Sequence, residues 1–309
     1  MKVMRLKKLM VSVLTCAVLF TATGCNAITI DGEDNSGTVS EGSGAIGFSV
    51  STLNNPFFVS LSDGAKETAA EEDADLIVVD AGDDAAKQTS DIEDLISRNV
   101  SVLIVNPVDS DAVGPVVKDA LSKGIKVISV DRVVNGAEVD CQIASDNVEG
   151  AKMATEYLKE LIGEGAKAAE IQGVPGASAT IDRGDGFHLV ADQDFDVVAS
   201  QSANFNRAEG MNVMENILQS DGEIKGVFAH NDEMALGAVE AIAASGKDIK
   251  VVGFDATDDA VAAVKAGKMA ATVAQKPELM GETAVLTALK MISGESVEKS
   301  IPVEVELIK

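Results

Sequence analysis

The chain has 309 residues, 46% of them hydrophobic and only 3% aromatic, with 25 basic against 50 acidic side chains and no tryptophan. That excess of negative charge repels nucleic acid and anionic lipid headgroups and slows the approach of phosphorylated substrates, leaving a neutral small molecule or a cation as the easier ligand. Three cysteines are too few for a disulfide framework, so stability has to come from core burial, which this length supplies as two domains.

In chain order, Lys2, Arg5, Lys7 and Lys8 precede an apolar run at 9–20, and small residues 21–24 then lead to Cys25. This pattern predicts a secretory signal peptide over 1–24. The run is too short to span a membrane, and no other stretch reaches the roughly 18 apolar residues required. Ala22-Thr23-Gly24-Cys25 resembles the bacterial lipoprotein box, which implies that Cys25 is lipidated and anchors the protein to the outer face of the cytoplasmic membrane. Ala22 departs from the Leu commonest there, and the alternative is an ordinary secreted protein cut after Ala27. Cleavage leaves 21 basic and 50 acidic residues, a net charge of −29. Cys16 departs with the signal, so lipidation of Cys25 leaves Cys141 with no intramolecular partner. Residues 25–44 read as the lipidated cysteine and a Gly-, Ser- and acid-rich flexible tether.

Folded structure is expected from Ala45. The apolar run 45–50 is followed by Ser51-Thr52-Leu53-Asn54-Asn55-Pro56-Phe57-Phe58, where Asn-Asn-Pro is turn chemistry. Two of the chain's ten aromatic residues therefore sit just past a strand end, as core packing or as a wall of a binding site. Further Val- and Ile-rich runs at 76–79, 102–105, 127–130, 168–171, 197–199, 226–229, 250–254 and 270–274 alternate with amphipathic stretches such as 111–121 and 209–218. At least nine strands in βαβ order predict an α/β protein with two doubly wound parallel-sheet domains. A helix N-cap at Ser145-Asp146-Asn147 marks the boundary.

In such sheets ligands bind outside the carboxyl ends of the strands. The residues there are Asn55, Phe57 and Phe58; Asp131-Arg132; Asn204-Phe205; His230-Asn231-Asp232; Asp255; and Gln275. Asp and Asn are also ordinary turn and cap residues, and Asp232 reads equally as a cap. As a set, however, Asp131 and Asp255 only accept hydrogen bonds, Arg132 and a candidate Arg183 only donate, and Asn55, Asn231 and Gln275 do both. Sugar hydroxyls need that mixture, the charges sum to zero, and Phe57, Phe58 and Phe205 suit the apolar faces of a sugar ring.

Ser51-Thr52-Leu53-Asn54-Asn55-Pro56-Phe57-Phe58, Asn106-Pro107-Val108-Asp109-Ser110-Asp111-Ala112-Val113, Ile143-Ala144-Ser145-Asp146-Asn147, Asn231-Asp232-Glu233-Met234-Ala235-Leu236-Gly237-Ala238 and Val252-Gly253-Phe254-Asp255 resemble the ribose-binding members of the type I periplasmic binding proteins of bacterial ABC importers. The resemblance runs from about residue 46 to the C-terminus. It implies two lobes, 45–145 plus 276–304 and 146–275 plus 305–309, joined by three crossovers and closing on D-ribose or a related monosaccharide. It implies ligand contacts from Asn55, Phe57, Phe58, Asp131, Arg132, Arg183, Phe205, Asn231, Asp255 and Gln275. It implies an ABC permease and its ATPase as partners, no cofactor, and a monomer. Thr180-Ile181-Asp182 before Arg183, and His230 before Asn231, depart from the family pattern at the rim.

Rival functions lack their signatures. His188 and His230 have no metal-ligand spacing, and no Ser or Cys nucleophile stands in a matching motif, so no catalytic residue and no metal site is expected. Gly42-Ser43-Gly44-Ala45-Ile46-Gly47 matches the dinucleotide fingerprint but precedes a strand. A sugar-responsive repressor would need a DNA-reading helix pair where the signal stands. Use of the closed form as a chemoreceptor ligand stays open.

Overall fold

The computed structural model describes residues 44–309. The expected signal peptide, Cys25 and the tether up to residue 43 lie outside them.

The chain first builds β1 (Ile46–Val50), α1 (Pro56–Glu71), β2 (Leu76–Asp80), α2 (Ala85–Ser97), β3 (Val102–Val105), α3 (Gly114–Ser122), β4 (Lys126–Val130) and β5 (Cys141–Ser145). It then passes to α4 (Asn147–Ile162), β6 (Ala166–Gln172), α5 (Ser178–Asp194), β7 (Phe195–Ser202), α6 (Arg207–Ser220), β8 (Gly226–Ala229), α7 (Asp232–Ser245), β9 (Lys250–Asp255), α8 (Asp258–Lys265) and β10 (Ala271–Ala274). Three elements close the chain: α9 (Pro277–Ile292), β11 (Ser300–Val303) and β12 (Glu306–Ile308). One six-stranded sheet has the order β11-β5-β4-β3-β1-β2 and the other β12-β10-β9-β8-β6-β7. The chain therefore crosses between the sheets three times, after β5, after β10 and between β11 and β12.

Successive strand residues face opposite sides, so each parallel sheet is buried twice. In the first sheet, Phe48, Ile104 and Ile128 pack with Leu61 of α1 and Met280 and Ala284 of α9. Leu103, Val105 and Val127 pack on the other face with Ile92 and Leu95 of α2 and Val116 and Val117 of α3. In the second, Ile171, Val227 and Val251 meet Met214 of α6 and Met234 of α7, while Phe228, Val252 and Phe254 meet Leu158 of α4 and Phe187 of α5. The expected α/β class and its two doubly wound domains are what the fold shows.

Local chemistry sets the element ends. Asn55, Asp84, Asp146, Asn206, Asn231 and Thr257 cap helices with side-chain oxygens that accept backbone N–H bonds. α3 starts later than the expected residue 111, because Asp109 Oδ1 accepts from the amides of Asp111 and Ala112 and holds that stretch as a turn. One pairing departs from the all-parallel expectation. β12 runs antiparallel to β10, entering the second sheet on the last crossover in the reverse direction.

Candidate functional site

The carboxyl edges of the two sheets face one another across a small cavity. All ten residues singled out in the sequence line it, together with Ala179. Asn55 follows β1, and its Oδ1 accepts from the Phe57 amide, fixing the first turn of α1. Phe57 and Phe58 meet edge to face, with centroids 5.2 Å apart. Both belong to the first sheet's core cluster as well as to the cavity wall.

Asp131 and Arg132 leave the end of β4, where Asp131 takes the left-handed conformation at φ +65°. Arg132 donates from Nη1 to the Pro107 carbonyl at 2.8 Å, and its Cζ lies 5.0 Å from the Phe58 centroid and 5.3 Å from that of Phe205. Asp131 Oδ2 accepts from Asn106 Nδ2 at 3.1 Å and lies 3.7 Å from Arg132 Nε. From the second sheet, Phe205 follows β7, Asn231 caps α7 after β8, Asp255 ends β9, and Gln275 follows β10. Gln275 Nε2 donates to Asp255 Oδ1 at 2.8 Å. Arg183 is the exception to the strand-end rule: it rises from the second turn of α5, with Cζ 3.9 Å from the Phe254 centroid and Nη1 3.8 Å from Asp255 Oδ1.

Burial dominates the electrostatics. It pushes the Asp131 carboxyl up against the pull of Arg132 and Arg183, and pushes Asp255 up to about 7 against the pull of Arg183. It also lowers both guanidiniums, but an arginine stays charged. Three buried polar atoms of these residues have no hydrogen-bond partner: Asp131 Oδ1, Arg132 Nε and Gln275 Oε1. Two acceptors and one donor are thus left to serve a ligand that both donates and accepts, since an orphaned buried polar group costs about 1–3 kcal/mol.

Several supporting residues escaped the sequence reading. Asn106, recognised only as part of a motif, ties Ser51, Val130 and Asp131 together, and Gln88 holds the Asn106 carbonyl. A Cβ on Gly173 would come within 2.1 Å of Phe205 Cζ, so the ring's place depends on a glycine. Asp232 is not the cap of α7: Asn231 is, and Asp232 is the first residue of the helix. Its carboxylate accepts from Thr272 Oγ1 at 2.7 Å and from the Thr257 amide at 2.8 Å, bracing the loop behind Asp255. Ala179 and Gly173 carry no chemical signal that a single sequence can reveal; the buried Asp232 showed only as the residue after a cap.

A family model described as a periplasmic binding protein domain matches residues 46–296. The ribose import binding protein RbsB of Bacillus subtilis is 48% identical over 297 residues, covering 96% of this chain and 97% of its own. That of Escherichia coli is 46% identical over 308 residues, covering 99% of both. Among solved structures, an ABC transporter solute-binding protein from Bacillus halodurans with bound myo-inositol superposes with a TM-score of 0.82 at 36% identity, covering 87% of this chain and 95% of its own.

Proposed function

The chain belongs to the periplasmic binding protein family, and from that premise we propose that it is the extracytoplasmic binding component of an ABC importer, carrying D-ribose to a membrane permease whose ATPase drives transport. The observation that carries the ligand class is the set of orphaned atoms, Asp131 Oδ1, Arg132 Nε and Gln275 Oε1, in a cavity walled by Phe57, Phe58 and Phe205. A sugar hydroxyl gives its proton to a carboxylate or amide oxygen while its lone pairs take the guanidinium N–H. The rings cover the apolar C–H faces. The ribose-binding relatives, 46% and 48% identical over nearly the full chain, favour this pentose among polyols.

In this reading the ligand contacts are Asn55, Phe57, Phe58, Asp131, Arg132, Arg183, Phe205, Asn231, Asp255 and Gln275. The lobes are 45–145 plus 276–304 and 146–275 plus 305–309, and the three crossovers between them form the hinge. Ribose bridges the lobes and stabilises the closed form, which docks on the permease. The protein itself catalyses nothing. It acts as a monomer, held to the outer face of the cytoplasmic membrane through lipid on Cys25, and the same closed form is available to a chemoreceptor. Thermal unfolding against a panel of pentoses, hexoses and cyclitols tests the ligand, because a sugar at 100 times its dissociation constant adds about 2.7 kcal/mol of stability. A shift with allose, galactose, a furanose or myo-inositol but none with ribose would overturn the ribose assignment and leave the polyol site standing.

A further inference from the structure

Behind the cavity, on the side of the second sheet covered by α5, lies a polar cluster that the sugar contacts do not use. Glu170, in the middle of β6, is 0% exposed, as is His230 at the end of β8. His230 Nε2 stands 2.9 Å from Glu170 Oε1. The other carboxylate oxygen, Oε2, accepts from Ser200 Oγ at 2.6 Å and Gln172 Nε2 at 2.8 Å, with His188 Nε2 of α5 at 3.5 Å. His188 in turn meets Asp192 through Nδ1 at 2.7 Å. A buried carboxylate is costly unless it is hydrogen-bonded, and here both oxygens have partners.

The remaining imidazole nitrogen fixes the tautomer. His230 Nδ1 is buried and has no partner. A proton there would be an orphaned donor, and an imidazolium would add a cation beside Arg183, so the ring is neutral with its proton on Nε2, donated to Glu170. Burial lowers the imidazole's pKa in keeping with this. Burial works against the Glu170 carboxylate, but the His230, Ser200 and His188 contacts outweigh it and hold it below the usual carboxylate value. Gly184, next to Arg183 in α5, lies against the pair, where a Cβ would make ordinary contact at 3.5 Å from Glu170 Oε1 and 3.7 Å from His230 Cε1.

Residue 230 touches the sugar site twice without entering it. Its carbonyl accepts from Arg183 Nη1 at 2.5 Å, and the next residue, Asn231, lines the cavity. Arg183 is held otherwise by Asn147 Oδ1, which accepts from its Nε at 2.9 Å, and by the Phe254 ring. A rotation of the His230 peptide would therefore move a guanidinium and an amide of the cavity together. We propose that Glu170 and His230 are positioning residues for the sugar site, a buried carboxylate and a neutral Nε2–H imidazole that together lock the His230 carbonyl against Arg183 and aim Asn231.

This rests on the polyol-binding reading and is tested with whichever sugar gives the largest thermal shift with the wild-type protein, so an error over ribose leaves it intact. Titration calorimetry of His230→Ala should show affinity about tenfold or more weaker, the scale of losing a hydrogen bond to a charged group. His230→Gln keeps an N–H able to reach Glu170 and should recover affinity to within about threefold of wild type by the same comparison. In an Arg183→Lys background the further cost of His230→Ala should shrink to about twofold or less, as expected of two residues acting as one unit. Nitrogen-15 spectra of the ligand-free wild type should show one histidine as a neutral Nε2–H imidazole at pH 7. Equal losses in the Ala and Gln variants, or full additivity with Arg183→Lys, would overturn the positioning role. An imidazolium or Nδ1–H signature for His230 would overturn it without any variant having to fold.

Discussion

Removal of one member of the buried pair at the end of β4 separates binding from folding. Arg132 is 3% exposed, lies over the Phe58 and Phe205 rings and stands 3.7 Å from the Asp131 carboxylate. Arg132→Ala strips the Phe58 ring of its cation, leaves Phe205 with Arg183 alone, and takes from the cavity its unpartnered Nε donor. The expected cost to ribose binding is about 2–5 kcal/mol, as for truncating one partner of a buried charge pair. That is roughly 30- to 5,000-fold in dissociation constant. Folding should suffer less, because Asp131, already pushed up by burial, takes a proton once its neighbouring cation is gone. Asp131→Ala offers no such escape, since a guanidinium stays charged at any accessible pH. It should lose similar affinity but more thermal stability, toward the 3–5 kcal/mol of an uncompensated buried charge. Calorimetric titration with ribose, paired with ligand-free melting of both variants, reads the two effects separately. Near-native affinity in both variants would remove the pair from the site. A lower melting point for Arg132→Ala than for Asp131→Ala would refute the electrostatic argument.

Two other substitutions test different parts of the site. Asp255, pushed up to about 7, holds a proton in the folded protein at pH values where the unfolded carboxyl, near 3.9, has released it. Its contribution to stability is therefore full below about pH 4 and lost as pH rises through about 7. Asp255→Asn should melt higher than wild type at pH 8 in the absence of ligand, with the difference narrowing towards pH 4, and should bind ribose poorly; a constant difference across that range would contradict the assignment. Gly173→Ala drives a methyl against Phe205 and should cost about 1–3 kcal/mol by overpacking, expressed mainly as weaker sugar binding. Unchanged affinity would mean that Phe205 can withdraw without loss.

The fold was legible wherever local pattern carries the information. Val- and Ile-rich runs gave the central strands, and Asn or Asp before an apolar stretch gave helix starts such as Asp146 and Asn231. β5, β11 and β12 lack the apolar run that marks the other strands, with Gln142, Pro302 and Glu306 interrupting them, and they become strands by pairing with their neighbours in the sheets. β11 pairs with β5 and β12 with β10. Of the ten candidate residues, nine lie at or just past strand ends, where topology concentrates function. Arg183 sits inside a helix whose own pattern says nothing of a cavity. It could be promoted only by the family resemblance, and its geometry explains why: the start of α5 abuts the cavity, with Ala179 in its wall.

The charge arrangement also bears on what closes the proposed lobes. Asp131 and Arg132 come from the first sheet's loops, while Arg183 and Asp255 come from the second domain, so each guanidinium keeps its own carboxyl partner when the halves part. Opening breaks neither pair, and Coulomb attraction between the halves does little to hold them together. Among the described residues the direct ties across the cleft are few. The Ser110 amide donates to the Gly176 carbonyl at 2.9 Å, the Ser178 amide to Ser110 Oγ at 3.2 Å, and the Val133 amide to Ser178 Oγ at 3.0 Å, with the Phe205 ring over Arg132 beside them. Neutral hydrogen bonds of this kind contribute about 0.5–1.5 kcal/mol each. In the proposed reading the rest of the closing free energy comes from the ligand, whose hydroxyls would meet the unpartnered atoms of Asp131, Arg132 and Gln275 on both sides at once. A sugar that reaches only one side would gain affinity for the open form as much as for the closed one, and would shift nothing.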